Sequence, residues 1–316
     1  MKRIRVGLYG ANGHQIHRGL AAHPRAALGA VAAFPEADCP AGCRRYVTLD
    51  ELLADPEIDL VSLCSPRRAD QAADAIKSMK AGKHVYAEKP SALTEADLDA
   101  IIAVSRKTGR QFHEMGGSVM GSPYREMKAE IQAGTIGTVV QVLAQKSYPW
   151  AAWRPADEAL DGGLALQVGI YVARFIEQVA GVRIASMELA ETTLGNTQPG
   201  SECRRAASFL MRLENGGVAG GLANYLNPMQ ERCWGYEILR IFGTQGVIES
   251  NADGALARVI PVGGALRDLV MSGDTTTCFD LFVDNLLGGK PMPLSLEDEL
   301  SPTRWVVRAK ERIQKI

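Results

Sequence analysis

The stretch VGLYGANGHQIH, residues 6–17, carries residue types that hold a dinucleotide pyrophosphate: an apolar strand running into a glycine-rich turn. A pyrophosphate needs backbone N–H groups at close approach, and glycine lets the backbone come near. Against the pattern G-x-G-x-x-G, the three positions are Gly10, Asn12 and Gln15, with an extra glycine at Gly13. Asn12 tolerates unusual backbone angles and donates hydrogen bonds. Gln15 stands where the third glycine normally permits close packing of helix on sheet. Gly10, Asn12, Gly13, His14 and Gln15 are therefore the candidate cofactor contacts. The second strand ends in Ala33 and Phe34 where an acidic ribose ligand is usual, so that role passes to Glu36 or is absent. Arg44 and Arg45 are candidates to meet a 2′-phosphate.

The other groups suited to proton transfer are unevenly spread. All five histidines, His14, His17, His23, His84 and His113, lie in the first third of the chain. If the remainder supplies a proton-transfer group, it must be Tyr, Lys, Asp or Glu. His14 and His17 form an H-x-x-H pair without a third ligand, so they are read as packing the turn, with no metal. The six cysteines form no C-x-x-C pair and are read as reduced thiols of a cytoplasmic protein.

These residues need elements to position them. In 316 residues with a net charge of -1, two ordinary globular domains are expected. The charge balance provides no electrostatic footprint for nucleic acid. No apolar run approaches ~18 residues, so no membrane span is expected. Residues 1–118 alternate strands (IRVGLYG, LGAVAAF, IDLVSLCS, HVYAEKP) with helices. One helix is expected from Gly13 to about Ala22, and another opens at Thr94 and ends at Gly109. This alternation predicts a doubly wound parallel sheet of the Rossmann type. In residues 119–316, Ser122 and Pro123 open a helix, a strand follows, and residues 161–180 form a long helix. Strands linked by hairpins at Asn215–Gly216 and near Gly243–Gly246 come next. That predicts an α+β domain with a mainly antiparallel open sheet. Such a sheet is commonly covered by another subunit, so a homo-oligomer is expected.

Four segments in order resemble the Gfo/Idh/MocA family of oxidoreductases: the glycine-rich turn, AGKHVYAEKPSALT, GGLALQVGIYVARFIEQVAG and FVDNLLGGKPMPLSLEDEL. The resemblance covers nearly the whole chain. It implies NAD or NADP in the first domain and a small sugar-like or cyclitol-like substrate. The family's Glu-Lys-Pro signature falls on Glu88, Lys89 and Pro90, and implies that Lys89 sits between nicotinamide and substrate. Its Thr-Pro-Asn segment is Ser65-Pro66-Arg67 here, which implies cofactor contacts, with Arg67 or Arg68 a candidate partner of a phosphate. The family's Asp-x-Gly-x-His-x-x-Asp helix reads Gln167, Gly169, Tyr171 and Arg174. Gly169-Ile170-Tyr171 is similar to a subgroup resembling glucose-fructose oxidoreductase and dihydrodiol dehydrogenase, in which tyrosine is the proton donor.

The chemistry suits that set. A free tyrosine titrates near ~10, and an ammonium beside it favours the phenolate. Lys89 beside Tyr171 would do this and would stabilise a developing alkoxide. Helical spacing puts Gln167, Tyr171 and Arg174 on one face, with Gln167 and Arg174 as substrate contacts. Trp150, Trp153 and Arg154, in PWAAWRP, are candidate walls of a sugar site. The rival expectation is a non-catalytic member that senses a sugar or nucleotide and regulates a partner. A third keeps a tightly bound NAD for redox-assisted elimination.

Overall fold

The computed structural model describes residues 3–40, 42–151, 153–231, 233–251 and 256–313. In chain order the strands and helices begin β1 (Ile4–Tyr9), α1 (His17–Leu20), β2 (Ala26–Ala32), β3 (Arg44–Tyr46), α2 (Leu49–Ala54), β4 (Leu60–Leu63), α3 (Gln71–Lys80), β5 (His84–Ala87), α4 (Glu95–Thr108) and β6 (Phe112–Glu114). They continue with α5 (Tyr124–Gln132), β7 (Val139–Pro149), α6 (Glu158–Asp161), α7 (Ile170–Arg174), β8 (Ile184–Thr192), β9 (Ala206–Leu213), β10 (Val218–Asn227) and β11 (Tyr236–Gly243). The last are β12 (Gly246–Asn251), β13 (Leu256–Pro261), β14 (Arg267–Asp268), α8 (Cys278–Leu286) and α9 (Leu296–Ile313). The chain divides into two compact units: Met1–Gly116 with Ala159–Gly162 and Thr277–Ser301, and Gly117–Glu158 with Gly163–Thr276 and Pro302–Ile316. A single cut after residue 118 therefore misses the return of α8 to the first unit, where Phe282 and Val283 join the core of β1 and β2.

The first unit holds a six-stranded sheet in the order β3-β2-β1-β4-β5-β6, parallel throughout. β4 is wholly buried and apolar but for Ser62, as suits a central strand covered on both faces. α4 starts at Thr94, whose hydroxyl accepts from the Asp97 N–H, and stops at Gly109 in the left-handed region.

Two local expectations are corrected. The helix after the glycine-rich turn does not run from Gly13 to Ala22 but is a single turn, His17–Leu20, without a side-chain cap. Gln15 explains the delay: its amide donates to the Gly10 carbonyl and accepts from the Ser62 hydroxyl and the Ile16 N–H, so it turns inward at the expected helix start. β3 is an additional edge strand, too short and polar to show in the pattern.

The second unit is an eight-stranded sheet ordered β14-β13-β12-β11-β7-β10-β9-β8, antiparallel except where β7 meets β10. The helical run Ala165–Val179 lies on one face. Glycines permit the approach: a Cβ on Gly169 would sit 2.3 Å from Phe209 Cζ, and one on Gly221 2.1 Å from Val172 Cγ1. The run is π-helical on either side of α7. A longer stretch, Glu158–Val179, is long and apolar enough to cross a membrane, against the expectation that no run is, but 78% of its apolar window is buried. On the opposite sheet face Leu143, Leu210 and Leu222 are exposed.

Candidate functional site

At the carboxyl end of β1 the chain turns at Gly10, with φ at 69°. A Cβ there would lie 2.1 Å from the Cys64 carbonyl oxygen, so the turn closes directly onto the end of β4. Gly13 has φ at 125°, and a Cβ on it would meet Glu88 Oε2 at 2.6 Å. The extra glycine thus makes room for the Glu88 carboxylate. That carboxylate accepts from the His14 N–H and lies 2.9 Å from His14 Nδ1, while the His14 side chain is 76% exposed. Burial raises the Glu88 carboxyl, but the Lys89 ammonium, His14 and Arg68 outweigh it and hold it below the usual range. Glu88 is therefore an anion at neutral pH.

Its neighbours are fixed from the strand ends. Lys89 is buried, with Nζ 3.8 Å from Glu88 Oε1. Gln71, at the start of α3, donates to the Glu88 and Pro90 carbonyls and so pins the Glu-Lys-Pro segment. Arg68 is 1% exposed and donates to the Asn12 carbonyl and to Gln71. It is a strut of the turn, whereas Arg67 is exposed, with Asp70 at 3.8 Å. Asn12 donates to the Pro66 and Leu160 carbonyls. Pro66 lies exposed, and the Ser65 hydroxyl is taken by Asp74 at 2.7 Å.

The residues fit a nicotinamide dinucleotide at this turn, with departures. The tight-turn glycine Gly10 is present, Asn12 stands at the close-approach position, and exposed His14 and Arg67 stand at strand carboxyl ends, where such sheets bind ligands. A one-turn α1 supplies little macrodipole, and one turn donor, the His14 N–H, is already used by Glu88. Beyond β2, Glu36 is exposed, Arg45 lies 3.8 Å from it, and Arg44 is paired with Asp55 and Glu57. Ala33, at φ 48°, holds a strained left-handed backbone at the same strand end. A cavity of about 590 Å³ opens elsewhere in this unit, lined by His17, Leu20, Leu28, Arg5, Arg44 and Glu57 among others.

The second unit collects the rest. Tyr171, in α7, is 8% exposed, and Arg174, 2% exposed, puts its guanidinium 5.9 Å from the Tyr171 ring. Gln167 is half-buried in the π-helical segment before α7. Lys146 Nζ lies 4.9 Å over the Tyr171 ring and is ion-paired with Glu237. The aromatic loop also gathers here. Arg154 stacks on Tyr225 at 3.7 Å and Arg205 on Trp150 at 4.0 Å. Trp153 is 70% exposed, with Arg154 5.0 Å from its ring.

Sequence reading missed Lys146, Arg205, Tyr225 and Glu237. A signal existed. Each continues the buried phase of a strand or its immediate flank: Val142–Ala144–Lys146, Arg205–Ala207–Phe209, Ala219–Gly221–Ala223–Tyr225, and Glu237–Leu239–Ile241. A polar residue on the buried phase of a strand needs a partner or a task. The register places Lys146 opposite Glu237 and Asn224 opposite Ala206, so the four cluster at one end of β7, β9, β10 and β11.

Residues 5–115 match the oxidoreductase family with an NAD-binding Rossmann fold, and residues 124–249 match the GFO/IDH/MocA C-terminal domain. The chain is 30% identical over 194 residues to a dTDP-3,4-didehydro-2,6-dideoxy-alpha-D-glucose 3-reductase of Streptomyces violaceoruber, covering 57% of this chain and 56% of that one. It is 29% identical over 139 residues to a trans-1,2-dihydrobenzene-1,2-diol dehydrogenase of Xenopus laevis, covering 43% and 41%. The matched region thus spans about half the length of these curated relatives. Among solved structures, an aldose-aldose oxidoreductase from Caulobacter crescentus superposes with a TM-score of 0.80 over 98% of each chain at 21% identity, a likeness of fold.

Proposed function

We infer the function from the family to which the chain belongs, the GFO/IDH/MocA oxidoreductases, and propose that it moves a hydride between NAD or NADP and a carbinol or carbonyl of a sugar-like or cyclitol-like molecule. The dinucleotide, when bound, accepts or returns the hydride. Gly10, Asn12, Gly13, His14 and Gln15 would form its turn, and Ser65, Pro66, Arg67, Glu88 and Lys89 the rest of its bed. Tyr171 takes the hydroxyl proton as the carbinol is oxidised and returns it on reduction. Lys89 stabilises the developing alkoxide. Gln167, Arg174, Trp153 and Arg154 orient the substrate.

The observation that carries this reading is Tyr171 itself: a buried phenol with a lysine ammonium over its ring, in a region that contains no histidine. The test is titration with NADH and NADPH, read by nicotinamide fluorescence, followed by turnover of a sugar and cyclitol panel. Saturable micromolar binding and turnover lost in K89A and Y171F are expected. Full turnover in both variants would sink the mechanism.

A second reading, a sensor without turnover, is favoured by the one-turn α1 and by Glu88 on the His14 N–H. No nicotinamide binding up to millimolar concentration would select it. We also propose a homo-oligomer closed over the exposed Leu143, Leu210 and Leu222, checked by light scattering. The six cysteines, with no C-x-x-C pair among them, support a cytoplasmic setting.

A further inference from the structure

Arg154 and Arg205 pose a charge problem within the second unit. Arg205 is 7% exposed. One of its Nη groups donates to the Tyr225 carbonyl at 3.1 Å. Its Nε and its other Nη are buried without a hydrogen-bond partner, and so is Nε of Arg154. The guanidinium faces are covered by rings: Arg205 by Trp150 at 4.0 Å, Arg154 by Tyr225 at 3.7 Å and Tyr148 at 5.7 Å. Trp150 and Tyr225 are themselves neighbours, with centroids 6.2 Å apart. Among the described residues, neither arginine has a carboxylate within ion-pair distance. Burial lowers Arg205, Cys203 partly offsets this, and the Arg154 charge lowers it further.

Stacking orients a guanidinium but leaves its in-plane donors open. A buried cation without a counter-ion is costly, and two that repel are costlier. Buried Lys146 has Glu237 and buried Lys310 has Glu191, whereas buried Lys83 and Arg68 are met by carbonyl and amide oxygens. The same Lys146 links the pair to Tyr171, lying 5.1 Å over the Tyr148 ring and 4.9 Å over the Tyr171 ring. We propose that Arg154 and Arg205, walled by Trp150 and Tyr225, are a subsite for an oxyanion, carboxylate or phosphate, carried by the substrate.

The inference rests on the oxidoreductase reading only in assigning the anion to a substrate; the subsite itself does not need turnover. The test is calorimetric binding of glucose, glucuronate and glucose 6-phosphate at matched ionic strength, to the wild type, R154Q and R205Q, with NADH binding measured separately. The expected result is saturable binding of at least one anionic sugar, at least tenfold tighter than glucose. Each variant should weaken it by about 10–100-fold, the loss of a charged hydrogen bond, without change in NADH affinity. Preference for glucuronate identifies a carboxylate and for glucose 6-phosphate a phosphate ester; either supports the subsite. Equal binding of glucose and both acids overturns it, as does anion binding unchanged in the variants. Should R205Q fail to fold, half-exposed R154Q decides alone by the same criterion. NADH binding lost everywhere, with the anion still held, would remove the oxidoreductase reading and leave the subsite.

Discussion

In the first unit His113 stands between Cys278, whose Sγ is 2.6 Å from Nε2, and Glu299, whose Oε2 is 2.5 Å from Nδ1. In the second, Arg154 and Arg205 rest on aromatic rings with donors unused. His113 and Arg205 are both screened from water, and Arg154 is partly so. The imidazole has protein on each nitrogen, and the Glu88 group is closed in the same way by Lys89, His14 and Arg68. The triad of Cys278, His113 and Glu299 has the order of a nucleophilic site, yet all three are buried. Its self-sufficiency marks it as a rivet between β6 and the returning α8. Geometry suited to chemistry is not enough; an open valence facing a ligand distinguishes a site from a fastening.

The comparison is broken or sharpened by substitution. The largest effect is expected for Tyr171→Phe, which removes the proposed proton carrier and should lower kcat/KM by roughly 10²–10⁴-fold while NADH affinity holds, measured by steady-state kinetics and fluorescence. Next is Glu299→Ala. Breaking a buried pair leaves its partner uncompensated, so urea unfolding should show a loss of about 3–5 kcal/mol. In contrast, Arg205→Met should cost under about 1 kcal/mol, or stabilise, because no protein charge depends on it. An Arg205→Met loss as large as that of Glu299→Ala would erase the distinction. Between these two falls Gly10→Ala, where the left-handed backbone and the Cys64 carbonyl leave no room for Cβ. It should cost about 1–3 kcal/mol and weaken NADH binding at the same time.

The mildest test is pH. Burial alone would lower His113, but the Glu299 carboxylate, then Cys278, raise it to about 10. Its folded value thus lies above the unfolded value of about 6.5. The stability it contributes is fully present below that unfolded value and is lost as pH rises through about 10. The melting temperature should fall between pH 7 and 10 in the wild type and fall less in His113→Gln. Parallel curves would show that Glu299 does not hold His113 protonated.

The amino-acid sequence by itself determined the architecture. The buried run Leu60–Leu63, the Thr94 cap and the Gly109 stop are local signals that survive folding because they depend on neighbours a few residues away. The Glu-Lys-Pro and Gly-Ile-Tyr segments stood out only by their resemblance to the family's motifs. Two things were decided only in three dimensions. The fate of the first helix turned on Gln15 finding Ser62, 47 positions away, and the role of Gly13 on Glu88, 74 positions from His14. The cluster around Tyr225 required four strands in register before Lys146 could meet Glu237 and the arginines could be seen to lack such partners. Alternation along each strand marks which polar residues turn inward, but sheet pairing decides whether their charges are answered by protein or left for a ligand.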